Sequence, residues 1–230
     1  LAAAIRPAAE GAYAAELRRL SERAEAAVDR VLGDELSEPA CARLVARNLP
    51  EGHGLFLGRS MPVRDMDMFG PPLAGPRAVG VNWGASGIDG TIASALGFAD
   101  GSDAPLTLLV GDMALLHDLS SLALVARHRQ PLTLVLLNNG GGGIFSFLPL
   151  ESCADLVEEY FAAAHGLAFK SAAELFGLPY AAPADLPGLR AAYTAAAQGR
   201  MPASIEVAGD RARNRDLHRR LYAAVTEDLT

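Results

Sequence analysis

Two apolar runs, each followed at once by polar or glycine residues, decide the fold of this chain. They are LTLLVGD at residues 106–112 and LTLVLLNNGGGG at residues 132–143. Nearly unbroken apolar runs of this length are typical of strands that are buried on both faces of a parallel sheet. Helical patterns lie between and around them. Strands that alternate with helices predict an open, mostly parallel, doubly wound α/β sheet with helices on both faces.

Shorter apolar runs on either side predict further strands, and apolar residues at helical spacing predict the helices between them. The expected strands are 55–57, 78–81 and 203–207. The expected helices are 8–32, 37–48, 91–98, 114–128, 152–164, 170–177, 187–198 and 210–228. The proline-rich stretch 60–77 and the glycine-rich stretch 138–150 are predicted to be irregular loops.

Composition excludes several classes of protein. The 230 residues are half hydrophobic, so the chain can bury a core and is not disordered. The net charge of −7 argues against a nucleic-acid partner. No apolar window is long enough for a membrane span, and we identify no targeting segment. The only cysteines, Cys41 and Cys153, exclude a disulfide scaffold or a zinc ribbon.

Oxygen donors follow the two long strands directly. Asp112 offers a carboxylate, Asn139 offers an amide oxygen, and the glycines after it let the backbone approach a ligand closely. The carboxyl ends of parallel strands meet at one edge of the sheet, where ligands bind. Hard oxygen donors suit Mg²⁺ bound to phosphate oxygens. The residues therefore suggest a magnesium–diphosphate site, although helix capping by Asp112 and a simple glycine turn remain alternatives for each motif alone.

The spacing of these motifs resembles the thiamine diphosphate motif, since Asn138-Asn139 follows Gly111-Asp112 after about two dozen residues. Four stretches extend the resemblance: SMPVRD at 60–65, GASGIDG at 84–90, LHDL at 116–119 and NNGGGGIFSFLP at 138–149. They are similar to the 2-succinyl-5-enolpyruvyl-6-hydroxy-3-cyclohexene-1-carboxylate synthase (MenD) family, or to the MenD-like part of the plant and algal multifunctional protein. The resemblance covers about residues 35 to 225.

The resemblance implies a transferase that needs thiamine diphosphate and Mg²⁺ or Mn²⁺. Such enzymes decarboxylate 2-oxoglutarate and add the succinyl carbanion equivalent to isochorismate, on the way to menaquinone or phylloquinone. It also implies domains: residues 1–35 would be a helical lead-in from a preceding central domain, and residues 36–230 the diphosphate domain. The family further implies a homodimer or homotetramer, located in the cytoplasm if bacterial and in the chloroplast if from an alga or plant.

The same resemblance assigns site residues. The metal would be bound by Asp112, Asn139 and the carbonyl group of Gly141. The diphosphate would be surrounded by Gly111, Met113, Ala114, Gly142, Gly143 and Ile144. Gly87 and Ile88 would lie at the bend of the cofactor, with Ile88 holding its two rings in a V. Ser60 and Arg64 would meet the substrate carboxylates, and Phe145 and Leu148 would line the site.

Two departures from the family pattern affect these expectations. Trp83 stands where the family usually has an arginine that binds carboxylates. The glutamate that activates the cofactor lies on an aminopyrimidine domain, usually of the partner subunit, so the isolated chain is expected to be inactive. Two other functions stay open at this point: another thiamine-dependent 2-oxoacid decarboxylase or carboligase, and a non-catalytic diphosphate-binding or assembly module.

Overall fold

The computed structural model describes residues 11–75, 77–82, 87–149 and 154–230. A parallel sheet lies at its centre. Its six strands are β1 Gly54–Leu57, β2 Val79–Val81, β3 Leu106–Gly111, β4 Leu132–Asn138, β5 Tyr180–Ala181 and β6 Ala203–Ala208. Their order is β2-β1-β3-β4-β6-β5, and every neighbouring pair is parallel. The predicted α/β sheet is confirmed. The two-residue strand β5 is too short to be recognised from periodicity.

Ten α-helices connect or flank these strands within the described residues. They are α1 Ala12–Leu32, α2 Glu38–Asn48, α3 Met61–Phe69, α4 Thr91–Ser102, α5 Asp112–His117, α6 Leu122–Val125, α7 Ala154–Tyr160, α8 Lys170–Leu175, α9 Leu186–Gln198 and α10 Arg211–Leu229. Local chemistry fixes several ends. The hydroxyl of Ser37 accepts from the Ala40 amide, and the Asp185 carboxylate accepts from the Gly188 amide, each with a proline in the first turn that follows.

Alternate side chains of the central strands point into two apolar layers. Leu106, Leu108 and Val110 of β3 pack on one face with residues of α4, α5 and α8. Leu109, together with Leu55 of β1, packs on the other face with residues of α2 and α9. This period of two is the expected geometry of a strand covered on both faces. The helices therefore enclose the sheet and leave its carboxyl edge for the loops.

The chain divides into two compact units. One comprises residues 34–216 and contains the whole sheet. The other comprises residues 1–33 and 217–230; its described part holds α1 and the end of α10, which are linked by an ion pair between Arg30 and Asp228 at 3.1 Å. The proposed origin of residues 1–35 in a preceding domain stays a prediction.

Several predicted segments differ from the structure. The sequence predicts a loop over 60–77, but residues 61–69 form α3. This helix tolerates Pro62 because Pro62 lies in the first turn, where no amide donor is needed. The expected helix 114–128 is broken at Asp118, whose carboxylate instead binds amides at the start of α4. The glycine-rich loop contains a 3-10 helix, Gly143–Phe147.

No helix among the described residues combines the length and the apolar character that crossing a membrane requires.

Candidate functional site

A cavity of about 410 Å³ opens beyond the carboxyl ends of β3 and β4. Most of the predicted site residues line it. They are Ser60, Arg64, Ile88, Gly111, Asp112, Met113, Ala114, Asn139, Gly141, Gly142, Gly143, Ile144 and Phe145. Gly87 and Leu148 are not among the described residues that line it. Leu148 is exposed and borders a neighbouring depression beside Arg211, and Gly87 is exposed ahead of α4.

Asp112 is the most enclosed charged group of the predicted site, with 2% of its surface exposed. It stands at the junction of β3 and α5, and its carboxylate organises the facing glycine loop. Oδ2 accepts from the amides of Gly140 and Gly141, at 2.8 and 2.9 Å. Among the described residues, Oδ1 accepts only from the adjacent Met113 amide, at 2.6 Å. A carboxylate oxygen has two acceptor positions, so Oδ1 retains one toward a ligand.

The glycine loop needs glycine for a steric reason. Gly141 has a φ of +153°, and a Cβ built there would lie 2.5 Å from the Ala162 carbonyl oxygen. The same carbonyl accepts from the Gly142 amide at 2.6 Å, and the Gly143 amide donates to the Gly141 carbonyl at 2.9 Å. The loop is therefore held from behind by the segment that follows α7. The Gly142 and Gly143 N–H groups are thus already engaged within the protein.

The two asparagines at the end of β4 have different environments. Asn138 belongs to a structural network: its amide nitrogen donates to Glu206, which also accepts from the Phe169 amide and the Tyr180 hydroxyl. Burial and this Glu206 contact raise the pKa of Tyr180 to about 12. Asn139 lines the cavity instead, and its Oδ1 is buried without a hydrogen-bond partner among the described residues. A buried, unsatisfied oxygen beside a carboxylate is a candidate cation ligand.

Glu38 is a site residue that sequence reasoning missed. It opens α2, is 4% exposed, and accepts a hydrogen bond from Asn139 Nδ2 at 2.9 Å. Burial, together with the charges of Asp65 and Asp112, raises the pKa of Glu38 to about 8, against the lowering effect of the Asn139 hydrogen bond. Glu38 lies 101 positions before Asn139, and a glutamate in the first turn of a helix is ordinary, so the sequence gives no signal of this contact.

His165 is a second residue without a sequence signal. Its Nδ1 accepts from the Leu167 amide at 3.0 Å, which places the proton of the neutral ring on Nε2. Nε2 lies 3.2 Å from Asp112 Oδ2, although not aligned for a hydrogen bond. The His165 amide also donates to the Gly140 carbonyl, at 3.3 Å. His165 thus packs behind the oxygen of Asp112 that faces the loop.

Ser60 and Arg64 line the cavity from another element, where β1 leads into α3. Ser60 has a φ of +72°, an uncommon conformation for a residue with a side chain, and such strain clusters at functional sites. The Arg64 guanidinium is exposed and donates to the Ser60 carbonyl at 2.6 Å. Arg59, which the sequence did not single out, lines the cavity beside them. This part of the lining carries positive charge near solvent.

Ile88 reaches the cavity because the start of α4 is held from another element. The Asp118 carboxylate accepts from the Ile92 and Ala93 amides, at 2.7 and 3.1 Å. The Thr91 hydroxyl donates to the Ile88 carbonyl at 2.9 Å. Ile88 packs partly against the core behind it. Trp83, the departure from the family pattern, lies outside the described residues.

The donor set of the cavity fits a divalent cation of the magnesium type. No cluster of three or more His, Cys, Asp or Glu side chains suited to a metal occurs in the described part of the chain. The available donors include the Asp112 carboxylate, the unpartnered Asn139 Oδ1 and the Gly141 carbonyl, all hard oxygens. Mg²⁺ takes few protein ligands and completes its shell with phosphate oxygens and water. The arrangement therefore has room for a phosphate-bearing ligand.

Comparison with curated proteins agrees with the MenD resemblance. A 2-succinyl-5-enolpyruvyl-6-hydroxy-3-cyclohexene-1-carboxylate synthase of Rubrobacter xylanophilus is 50% identical over 94% of the chain. Its counterpart in Chlorobium phaeobacteroides is 41% identical over 92% of the chain. The chain spans only 38% and 37% of these two relatives. It therefore corresponds to a little over a third of each.

Solved structures share the fold at low identity. A thiamine diphosphate-dependent 4-hydroxybenzoylformate decarboxylase of Rhodococcus jostii RHA1 superimposes with a TM-score of 0.65 at 22% identity, over 77% of this chain and 33% of its own. The benzoylformate decarboxylase of Polynucleobacter necessarius gives 0.62 at 18%, over 75% and 33%. Residues 72–207 match the family described as "Thiamine pyrophosphate enzyme, C-terminal TPP binding domain". The chain belongs to this family of thiamine pyrophosphate enzymes, and its resemblance to MenD is confirmed.

Proposed function

We propose that this chain is the part of a MenD-type synthase that holds the diphosphate of thiamine diphosphate together with Mg²⁺ or Mn²⁺. The observation that carries the proposal is the buried Asn139 Oδ1, unpartnered among the described residues, in the lining of the same cavity as the Asp112 carboxylate. Asp112 Oδ1, Asn139 Oδ1 and the Gly141 carbonyl oxygen hold the metal. When bound, the cofactor supplies the carbanion chemistry, and the protein supplies position and charge.

The glycine loop contributes shape more than hydrogen-bond donors. Met113, Gly142 and Gly143 line the cavity, but their amides already donate to Asp112, Ala162 and Gly141. The negative charge of a diphosphate must then be balanced mainly by the metal, since the buried group that lines this part of the cavity with the loop is the Asp112 carboxylate. Metal and diphosphate are consequently expected to bind in a mutually dependent way.

Another part of the cavity lining serves the substrates in this proposal. Ser60 and Arg64, with Arg59 beside them, present a hydroxyl and guanidinium groups to a carboxylate, for which arginine offers a planar, bidentate donor. Ile88 and Phe145 keep the middle of the cavity apolar, and the Phe145 ring packs edge-on against Phe161, with ring centroids 5.6 Å apart. In this proposal the substrates are 2-oxoglutarate and isochorismate, and their carboxylates bind Arg64. The product serves menaquinone or phylloquinone synthesis.

A complete active site requires a second domain. The family supplies the glutamate that activates the cofactor from an aminopyrimidine domain, and this chain matches the C-terminal TPP binding domain. Exposed apolar side chains, Phe161 of the cavity lining together with Leu148 and Tyr160, suit such a contact, in a homodimer or homotetramer. The chain on its own should bind the cofactor and remain catalytically silent.

Isothermal titration calorimetry tests the proposal. Thiamine diphosphate is titrated into the chain with Mg²⁺, and again with a chelator in place of Mg²⁺. Thiamine, which lacks both phosphates, is the matched ligand control. We expect heat of binding only with thiamine diphosphate and Mg²⁺ together. Equal affinity with the chelator, or equal affinity for thiamine, would contradict the proposed metal–diphosphate site.

A mixing experiment tests the wider activity. The chain is combined with a purified aminopyrimidine domain of a MenD protein, and release of CO₂ from 2-oxoglutarate is followed. Activity should appear only in the mixture. Decarboxylation by the chain alone would contradict the assignment of the activating group to another domain.

A further inference from the structure

Glu38 is a buried acid that none of the roles above uses. It stands in the first turn of α2, with 4% of its surface exposed, and its Oε1 approaches the Asn139 side chain from the side of α2. Burying a carboxyl group is costly unless its hydrogen bonds are satisfied. The presence of this buried group beside a candidate metal ligand therefore indicates that Glu38 has a specific role.

The role of Glu38 follows from the shape of the asparagine side chain that it contacts. Its amide oxygen and nitrogen are nearly equal in size, so packing alone cannot decide which atom faces a metal. Only the hydrogen-bond partners decide this. Glu38 Oε1 accepts from Asn139 Nδ2 at 2.9 Å, and Oδ1 is the atom left without a described partner. With Glu38 as a carboxylate, which only accepts, an amide turned the other way would place an N–H group against the cation and two acceptor oxygens against each other.

Gly143 restrains the same amide from another direction. A Cβ built on Gly143 would lie 2.5 Å from Asn139 Nδ2 and 3.4 Å from Oδ1, so the backbone of the loop packs directly against the amide plane. Gly209 is close as well: a Cβ there would lie 3.5 Å from both Asn139 Cβ and Glu38 Oε1. Gly143 and Gly209 thus restrict the position of the Asn139 side chain, and the hydrogen bond to Glu38 sets the orientation of its amide.

We propose that Glu38 is a positioning residue, which accepts a hydrogen bond from Asn139 Nδ2 and thereby presents Asn139 Oδ1 to the metal ion. The inference rests on the proposed metal site at Asp112 and Asn139. Glu38 does not bind the metal directly in this account. Its effect is transmitted through the orientation of one amide, as contacts behind metal ligands commonly are.

The first test compares two replacements of Glu38 in the complete 230-residue chain. The affinity for Mg²⁺ is measured by calorimetry with saturating thiamine diphosphate, which is a readout independent of turnover. Glu38→Ala removes the acceptor and should weaken Mg²⁺ binding about 5- to 30-fold, which corresponds to about 1–2 kcal/mol. Glu38→Gln keeps an acceptor oxygen and should stay within about threefold of the wild type. Glu174→Ala, on the exposed face of α8, is the control and should change nothing.

The second test exchanges donor and acceptor between the two positions. Asn139→Asp alone places a second carboxylate against Glu38 and should weaken Mg²⁺ binding, although it adds a negative charge near the cation. The double variant Glu38→Gln with Asn139→Asp lets the new glutamine amide donate to the new aspartate, which leaves one carboxylate oxygen for the metal. We expect the double variant to bind Mg²⁺ at least about tenfold more tightly than Asn139→Asp alone.

The outcomes separate this inference from the function on which it rests. Failure of the wild-type chain to bind Mg²⁺ with thiamine diphosphate, or unchanged binding in Asn139→Ala, overturns the proposed metal site. If that site holds, equal binding by Glu38→Ala and wild type overturns the inference. Equal weakening by Glu38→Ala and Glu38→Gln, without rescue in the double variant, also overturns it, because that pattern indicates a direct ligand or a simple charge effect. Thermal unfolding without metal verifies that each variant is folded.

Discussion

Two parts of the cavity lining are built in opposite ways. At the proposed diphosphate end, the Asp112 carboxylate is 2% exposed and accepts hydrogen bonds from three backbone amides, those of Met113, Gly140 and Gly141. At the proposed substrate end, the Arg64 guanidinium is exposed, and its one described hydrogen bond runs to the carbonyl of Ser60 in its own turn. The position of the Asp112 charge is therefore fixed by several backbone contacts, whereas the Arg64 charge is restrained by a contact within its own turn.

We infer from this difference which part of the proposed function the chain can carry on its own. A desolvated carboxylate held by backbone donors keeps its geometry without a ligand, so the diphosphate end is preorganised. A solvated arginine has many conformations of similar energy and becomes ordered only when a carboxylate binds or a second domain covers it. We therefore expect cofactor binding to depend strongly on the first end and substrate turnover on the second.

The largest expected effect comes from Asp112→Ala. This variant removes a proposed metal ligand and the acceptor for three amides, so Mg²⁺-dependent binding of thiamine diphosphate should weaken by at least about a hundredfold in calorimetry. Asp185→Ala is the matched control, because Asp185 also accepts a backbone amide but does so at the start of α9. Unchanged cofactor affinity in Asp112→Ala would show that the diphosphate end has been misassigned.

Gly141→Ala should distort the backbone of the glycine loop at the proposed diphosphate end. The φ of +153° and the contact of 2.5 Å between a built Cβ and the Ala162 carbonyl oxygen leave no room for a side chain. We expect a loss of about 1–3 kcal/mol in the free energy of unfolding, measured by urea denaturation. Gly97→Ala in α4 is the control, since its Cβ meets no described atom within 4 Å and alanine favours a helix. A Gly141→Ala variant as stable as the wild type would argue that the loop is not fixed.

Glu38→Gln should stabilise the metal-free chain in a pH-dependent way. The pKa of Glu38 rises from its usual 4.5 to about 8 on folding, so the folded state binds this proton more tightly than the unfolded state. The contribution of Glu38 to stability therefore falls as pH rises from about 4.5 to about 8, and glutamine avoids that loss. The midpoint of thermal unfolding should be higher for the variant at pH 9, by about 2–4 °C for each kcal/mol, and similar at pH 4.5. An identical difference at both pH values would contradict this.

The smallest effect on the isolated chain is expected from Arg64→Ala. The exposed guanidinium contributes little to stability, so the unfolding free energy should change by less than about 0.5 kcal/mol and the affinity for thiamine diphosphate should stay the same. In a reconstituted enzyme, the same change should lower kcat/KM for 2-oxoglutarate by about ten- to a hundredfold, because a charge-assisted hydrogen bond is lost. A marked loss of cofactor affinity in the isolated variant would remove the distinction between the two ends.

The sequence predicted that the residues of the proposed diphosphate end meet at one place, because they stand next to strand ends. The buried runs of β3 and β4 place Asp112 and Asn139 at one edge of the sheet, and the structure brings them to the same cavity. Their assignment as metal ligands stays a prediction. The fold followed from the same apolar runs, since strands buried on both faces have few other arrangements.

The parts that the sequence did not predict depend on contacts between distant segments. Glu38 and His165 reach the site from α2 and from the segment after α7, and no local pattern marks either contact. The helix α3 was hidden because Pro62 resembles a loop residue yet occupies a first helical turn. The break at Asp118 is also tertiary, because the carboxylate binds the start of α4.

The most direct test of the preorganised diphosphate end is a crystal structure of the chain with Mn²⁺ and thiamine diphosphate, with the metal located by anomalous scattering. We expect one peak bonded to Asp112 Oδ1, Asn139 Oδ1 and the Gly141 carbonyl, at distances near the roughly 2.1 Å typical of small divalent cations. Asp112 Oδ2 should keep its bonds to the Gly140 and Gly141 amides. A peak elsewhere, or a loop that must rearrange around Asp112 before the metal binds, would show that the site is not preorganised in this way.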